Sequence, residues 1–270
     1  MSTRPVPLAE RFAALAADGR KALAPFGTAG DPDLATTAIV IEALDRAGAA
    51  VCELGVPYSD PIADGPVIQA SYTRALAAGF TLEKLFAMVT AATARVRMPV
   101  LAMVSYSIIY RRGIDRFVAD SAAAGLAGVV VPDLPLEESD LLDAACRAAG
   151  LALVRLVTPT TPADRAAEIA RRSTGFLYCV SVAGVTGARS ELPAGLVERV
   201  AWLRTQASVP VLVGFGVSTP EQVKLLAGVA DGAIVGSALV RRIDELAPSG
   251  PAALAAGVER TVADLVTAAR

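Results

Sequence analysis

The feature that most constrains the fold is an alternation of short apolar segments with segments of helical periodicity, repeated eight times along the chain. The apolar segments consist mainly of Val, Leu and Ala, the composition of parallel strands that are buried on both faces. They predict strands over residues 21–26, 50–54, 100–104, 128–131, 152–157, 176–180, 209–213 and 232–235. Because no internal linker interrupts the series, we expect residues 1–270 to form one domain, a closed (β/α)8 TIM barrel.

Helical segments separate the predicted strands, and extra helices lie at the N-terminus and in a loop. They are predicted at residues 5–18, 33–47, 67–78, 81–97, 113–124, 137–149, 196–206, 220–227 and 251–269, with two more starting at Thr161-Pro162 and at Ser237. The first of these is expected to cover the lower end of the barrel. An open, doubly wound sheet is the alternative that the same alternation allows.

The composition narrows the chemistry that this chain can perform. It contains no histidine, which excludes Ser–His and Cys–His nucleophiles and the usual zinc sites. Acid–base catalysis would therefore use Asp, Glu, Lys, Tyr or Cys, and we expect neither a metal nor an organic cofactor. Cys52 and Cys179 lie in apolar, strand-like segments, so buried reduced thiols are favoured over ligands or nucleophiles.

Charge and hydropathy indicate where the protein works. The net charge is −2 and the charged residues are dispersed, so no surface for nucleic acid or membrane is indicated. No apolar run reaches the roughly 18 residues of a membrane span. The N-terminus lacks the charged and then apolar layout of a signal peptide. We therefore expect a soluble, cytoplasmic protein.

The loop after the second predicted strand carries the first candidate site. Residues 53–66 read Glu-Leu-Gly-Val-Pro-Tyr-Ser-Asp-Pro-Ile-Ala-Asp-Gly-Pro, too rich in Pro and Gly for a helix or a strand. Glu53 stands at the strand end, and further carboxylates follow on the loop. Such carboxylates could form a general acid–base pair. The alternative is an ionised surface loop in which Asp residues close turns.

Glycines follow the last three predicted strands. They occur in Gly184-Val185-Thr186-Gly187, in Gly214-Phe215-Gly216 and in Gly236-Ser237. Glycine allows the backbone to approach an anion closely, and a serine at a helix start offers backbone N–H groups and a hydroxyl. Each pair could be an ordinary turn. Three sets in the late loops of one barrel favour a site for a phosphate monoester.

Residues 53–66 closely resemble the signature of the tryptophan synthase alpha subunit family, and the resemblance extends from about residue 24 to residue 240. That family is a TIM barrel that splits indole-3-glycerol phosphate into indole and glyceraldehyde 3-phosphate. The resemblance implies that Glu53 and Asp64 are the catalytic pair. Glu53 would deliver a proton to indole C3 and accept one from the glycerol hydroxyl, and Asp64 would accept a hydrogen bond from the indole N–H.

The same resemblance assigns the remaining site residues. Substrate phosphate is expected to contact a set of late-loop residues: Gly187, Gly216, Gly236 and Ser237. Thr186 would hold Asp64 in place when its loop closes. Phe26, Tyr178 and Phe215 resemble the aromatic residues that line the indole pocket, although ordinary core packing is the alternative for each.

A beta subunit is the partner that the family implies, and we expect the loop with Pro57 and Asp60 to dock it. The sequence departs from the family after strand three, where Val104-Ser105-Tyr106-Ser107-Ile108 stands in place of Thr-Tyr-Tyr-Asn-Pro. The aromatic missing there borders the indole in the family, and the missing Asn faces the beta subunit. Asp133, in another family motif, is interpreted as a structural, loop-ordering residue.

Three other functions remain open at this point. The altered loop is compatible with a stand-alone lyase that releases indole. A weakly catalytic subunit that senses the substrate and activates its partner is a second possibility. The third is a phosphate-binding isomerase of tryptophan or histidine synthesis, against which the signature argues.

Overall fold

Eight parallel strands form a closed barrel in which each strand pairs with the next and β8 pairs with β1. The computed structural model describes residues 5–62, 64–181, 192, 194–214 and 216–270. The strands are β1 Ala22–Thr28, β2 Cys52–Gly55, β3 Val100–Met103, β4 Gly128–Val130, β5 Ala152–Val157, β6 Leu177–Val180, β7 Val211–Gly214 and β8 Gly232–Val235. The predicted TIM barrel is confirmed, and the open sheet is wrong because a closed barrel has no edge strands.

Helices surround this barrel and lie between successive strands. Within the described residues they are α1 Leu8–Ala17, α2 Leu34–Arg46, α3 Pro66–Ala77, α4 Leu82–Thr93, α5 Tyr106–Arg112, α6 Ile114–Ala123, α7 Asp140–Ala148, α8 Ala163–Arg172, α9 Leu196–Gln206, α10 Pro220–Ala227, α11 Ser237–Leu246 and α12 Pro251–Ala268. In this part of the chain no single helix has the length and apolar content to cross a membrane. Helices α3 and α4 meet that criterion only when counted together across a 102° bend.

Helix α1 covers the lower end of the barrel, as its apolar spacing predicts. Phe12 packs edge-on against Phe176 with ring centroids 5.9 Å apart, inside a cluster that fills the barrel interior. Arg11 donates hydrogen bonds to the carbonyls of Ala49 (2.8 Å) and Ala50 (3.3 Å), just before β2. The lower end is therefore covered, and the opposite end, where the strands terminate, is the end at which barrels of this kind carry their sites.

Helix α5 is the element that the sequence did not predict. Its N-cap is Ser105, and only Ile109 on it is buried. The carboxylate of Asp133, which follows β4, accepts hydrogen bonds from the Tyr106 N–H (2.9 Å) and the Ser105 hydroxyl (2.7 Å). This confirms the loop-ordering role expected of Asp133. The helix escapes sequence analysis because it is only seven residues long and Asp133, which holds its first N–H, comes from a distant part of the chain.

Two helix starts also differ from prediction. The segment predicted as one helix over 137–149 is a 3₁₀ turn, Leu136–Glu138, followed by α7, because the buried Ser139 hydroxyl donates to the Leu136 carbonyl between them. Helix α8 begins at Ala163, and Pro162 occupies the N-cap position. Thr161 does not cap it, since its hydroxyl accepts the Thr158 N–H instead.

A buried ion network joins β5 to α7 and α8. Arg155 is only 7 % exposed, and its guanidinium donates to the Ser139 hydroxyl (2.8 Å) and the Arg172 carbonyl (3.2 Å). Its second Nη lies 3.4 Å from the buried carboxylate of Asp143, which also pairs with Arg147 at 2.7 Å. The network therefore supplies charged partners for a guanidinium that water does not reach.

We expect Asp143→Ala to lower the free energy of unfolding by about 3 kcal/mol, because it leaves the Arg155 charge buried without its carboxylate. Urea denaturation measures this. Asp140→Ala is the matched control, since Asp140 is 76 % exposed and pairs with Arg172 at the surface. A loss of no more than 1 kcal/mol for Asp143→Ala would show that the network contributes little.

Candidate active site

Glu53 lies inside the barrel, on the face of β2 that points away from the helices. Its neighbours in register are Phe26 on β1 and Leu101 on β3. The side chain is 0 % exposed, and neither carboxyl oxygen has a hydrogen-bond partner among the described residues. Burial raises the pKa of Glu53 from 4.5 to about 8. The carboxyl is therefore protonated at neutral pH and can act as an acid.

Asp64 lies on the loop between β2 and α3 and is partly buried. Its N–H donates to the Pro61 carbonyl (3.1 Å), and its own carbonyl accepts from the Gln69 amide (2.7 Å). The same amide donates to the Pro61 carbonyl at 3.2 Å, so Gln69 on α3 joins both ends of this turn. Burial raises the pKa of Asp64 to about 6, which leaves this carboxyl ionised at pH 7.

Two predicted pocket aromatics lie inside the barrel near these carboxyls. Phe26 is 3 % exposed, and Tyr178 on β6 is 7 % exposed. Burial, together with the nearby Glu53 and Asp64, raises the pKa of Tyr178 well above its usual 10. A Cβ on Gly214 would lie 2.6 Å from the Tyr178 hydroxyl, so the absence of a side chain there lets the ring lie against β7.

The described phosphate candidates lie at the ends of β7 and β8. Gly216 has a φ of +88°, a conformation that favours glycine. Gly236 is the N-cap of α11, and Ser237 is its first residue, where N–H groups have no acceptor within the helix. A Cβ on Gly236 would lie 3.9 Å from Phe26 Cβ, so this helix start adjoins the aromatic pocket.

Three of the predicted site residues, Thr186, Gly187 and Phe215, lie outside the described residues. The other predicted site residues lie in the upper half or at the upper rim of the barrel: Phe26, Glu53, Asp64, Tyr178, Gly216, Gly236 and Ser237.

Sequence analysis missed one aromatic residue of the pocket. Tyr72 on α3 is 2 % exposed and forms a cluster with Phe26 and Val240. The ring of Tyr58 packs on it at a centroid distance of 5.7 Å. A Cβ on Gly55 would lie 2.4 Å from the Phe26 ring and 2.8 Å from the Tyr72 hydroxyl. The sequence predicted a helix over this segment, but nothing in it related Tyr72 to Glu53.

The cysteines and the acidic residues outside this pocket form no further candidate site within the described residues. Cys52, Cys146 and Cys179 are free and buried, which confirms the prediction for Cys52 and Cys179. Among the described residues no three Cys, Asp or Glu side chains lie close enough together to hold a metal ion.

Comparison with known proteins identifies the family. The family model for the tryptophan synthase alpha chain matches residues 12–269. The chain belongs to the tryptophan synthase alpha chain family. The alpha chain of Rhodopirellula baltica is 53 % identical over 240 residues, which cover 88 % of this chain and 86 % of that protein. The alpha chain of Prochlorococcus marinus is 50 % identical over 242 residues, which cover 89 % and 88 %.

Solved structures agree with this family. The tryptophan synthase subunit alpha of Legionella pneumophila superposes with a TM-score of 0.88 at 33 % identity, over 99 % of this chain and 98 % of that one. A tryptophan synthase structure from Mycobacterium tuberculosis gives a TM-score of 0.87 at 34 % identity, over 99 % of both chains. The similarity to known alpha chains therefore extends over the whole chain and is not confined to the signature at residues 53–66.

We expect Gly55→Ala to lower the free energy of unfolding by about 1–3 kcal/mol, because the new methyl group would collide with the Phe26 ring and the Tyr72 hydroxyl. Urea denaturation and the near-UV circular dichroism of the tyrosines measure this. Gly27→Ala is the control, since a Cβ on Gly27 meets no atom within 4 Å. Equal stability and equal spectra for the two variants would contradict this description of the pocket.

Proposed function

We propose that this chain is the alpha chain of a tryptophan synthase and that it cleaves indole-3-glycerol phosphate to indole and glyceraldehyde 3-phosphate in tryptophan biosynthesis. The observation that carries the proposal is the Glu53 carboxyl, which is fully buried on β2, two residues before the strand ends at Gly55, in a barrel of this family. A buried carboxyl without a partner among the described residues lowers the stability of the fold, so a structural role does not explain it and a catalytic role is favoured. It belongs to a carbon–carbon lyase that needs a proton donor.

Glu53 supplies the proton that this retro-aldol cleavage requires. With a pKa of about 8 it is protonated at pH 7, and it donates that proton to indole C3. The bond between C3 and the glycerol chain then breaks, and its electron pair returns to the indole ring. The Glu53 carboxylate accepts the proton of the glycerol hydroxyl that becomes the aldehyde, so Glu53 is restored to its starting form.

Asp64 stabilises the charge that develops in this step. When C3 is protonated, positive charge appears on the indole nitrogen. An ionised carboxylate that accepts the hydrogen bond of the indole N–H stabilises that charge. The pKa of about 6 keeps Asp64 ionised at pH 7, while Glu53 remains protonated. Two carboxyls with different environments thus take two different roles.

The rest of the barrel rim binds the substrate. Gly216, Gly236 and Ser237 contact the phosphate through backbone N–H groups and a hydroxyl, and Gly187 completes this set. Phe26, Tyr178 and Phe215 enclose the indole ring. Thr186 holds Asp64 when the loop closes over the bound substrate.

A beta subunit receives the indole, and the loop that carries Pro57 and Asp60 docks it. Asp60 is exposed, and Ile62, two residues on, is 93 % exposed although it is apolar. We also propose that residues 1–270 are one domain and that the protein works in the cytoplasm, where free thiols such as its three buried cysteines stay reduced.

A stand-alone lyase is the second candidate function. It is favoured by the altered segment after β3, which forms α5 and is held by Asp133. Partner-independent release of indole would distinguish it from the two-subunit enzyme.

The test is indole release from indole-3-glycerol phosphate, with and without a cognate beta subunit. We expect the wild type to release indole, to be activated by the partner, and to lose about 10²–10⁴-fold in kcat upon Glu53→Gln. Glu10→Gln, an exposed change on α1 at the closed end of the barrel, is the control. No release by the wild type in either mixture would refute the proposed reaction.

The pH dependence of kcat/KM follows from the two carboxyls. Activity should rise as Asp64 ionises around pH 6 and should fall as Glu53 loses its proton around pH 8. In Asp64→Asn we expect about 100-fold lower activity, with the acidic limb absent and the alkaline limb retained. Asp164→Asn, an exposed change on α8, should keep both limbs. An acidic limb that persists in Asp64→Asn would assign that titration to another group.

A further inference from the structure

Tyr72 is a buried tyrosine that the reaction described above does not use. It lies on α3, three residues after Gln69, whose amide holds the Asp64 turn. Its ring packs with Phe26 and Val240, and Met103 at the end of β3 packs against the same cluster. Tyr72 therefore joins the wall of the pocket at the place where β2 and β3 end.

The hydroxyl of Tyr72 points into the barrel. It lies 2.8 Å from the position that a Cβ of Gly55 would occupy, and Gly55 faces the same side of β2 as Glu53 because side chains alternate along a strand. No hydrogen bond of this hydroxyl is found within the described part of the chain. The hydroxyl is therefore available to a molecule bound inside the barrel.

The aromatic residue that follows β3 does not reach this pocket. Tyr106 packs against the cluster between the barrel and its helices, and its ring lies 6.2 Å from that of Tyr110. Its N–H is bound to Asp133, which fixes it at the start of α5. Near Met103, the aromatic ring that lines the pocket is therefore that of Tyr72 on α3.

Polar contacts on both sides of Tyr72 fix α3 to the end of β1. The hydroxyls of Ser71 and Thr28 are 2.6 Å apart. The Arg74 guanidinium donates two hydrogen bonds of 2.8 Å to the Asp31 carboxylate, which is 5 % exposed. Since these residues flank Tyr72, its ring and hydroxyl are held in place before any ligand binds.

We propose that Tyr72 is a substrate-binding residue whose ring contacts the indole and whose hydroxyl binds a hydroxyl of the glycerol chain. The position of Phe26 supports the contact with the glycerol chain. Phe26 adjoins Gly236, at the proposed phosphate site, and also the Tyr72 hydroxyl, beside Gly55. The glycerol chain links the indole to the phosphate, so it passes this point. The assignment rests on the proposed function and adds a specificity residue to it.

The test compares two ligands in wild type and Tyr72→Phe, which removes one oxygen and keeps the ring. With indole-3-glycerol phosphate we expect kcat/KM to fall by about 2- to 12-fold, the range of one neutral hydrogen bond. Indole-3-propanol phosphate lacks both glycerol hydroxyls, so its Kd should change by less than about 2-fold. Tyr110→Phe, at a tyrosine 74 % exposed on α5, is the control.

The possible results separate the hydroxyl contact, the ring contact and the proposed reaction. Unchanged kinetics in Tyr72→Phe, or equal weakening of both ligands, would overturn the hydroxyl contact. In the wild type, nuclear Overhauser effects between the Tyr72 ring and the indole of the bound analogue are expected, and their absence would overturn the ring contact. An inactive wild type that still binds both ligands would refute the proposed reaction, and the ratio of the Kd of indole-3-glycerol phosphate in Tyr72→Phe to that in wild type would then test the hydroxyl contact.

Discussion

The burial of one carboxyl group, Glu53, is the constraint on which the rest of the site depends. Inside the barrel it has no access to water, and its neutral form is favoured up to a pKa of about 8. Because burial raises this pKa from 4.5, Glu53 does not lower the free energy of unfolding below about pH 4.5, where it is neutral in both the folded and the unfolded chain. The free energy of unfolding falls as the pH rises from there through 8. The fold tolerates this loss of stability at neutral pH, where Glu53 remains a proton donor.

The surroundings of Glu53 keep that carboxyl dry and still leave room for a ligand. Helix α1 closes the lower end, so the interior opens only at the strand ends. Glycines at positions 55 and 214 allow the rings of Phe26, Tyr72 and Tyr178 to approach the strands closely. Helix α3, tied to β1 through Ser71 and Arg74, carries both Tyr72 and the Gln69 amide that holds the Asp64 turn. One helix thereby positions a wall of the pocket and one of its two carboxyls.

Much of this arrangement could be predicted from the sequence because it follows from local pattern. The strand–helix alternation predicted the barrel, and the apolar run before Glu53 placed it on the second strand, although β2 continues past the predicted strand end to Gly55. What the sequence could not predict depends on contacts between distant residues. The start of helix α5 is held by Asp133, and the break before α7 depends on Ser139 and its bond to Arg155. The role of Tyr72 could not be predicted, since its approach to Gly55 exists only in three dimensions.

The measurement that tests this account most directly is an NMR titration of the Glu53 carboxyl in protein labelled with ¹³C at the glutamate side-chain carboxyl, with the Glu53→Gln spectrum used for assignment. The account predicts one glutamate resonance that is absent from the variant and titrates with a midpoint near pH 8. A midpoint near the ordinary value of 4.5 would contradict it. In that case Glu53 would be ionised at neutral pH and could not be the acid that protonates indole C3.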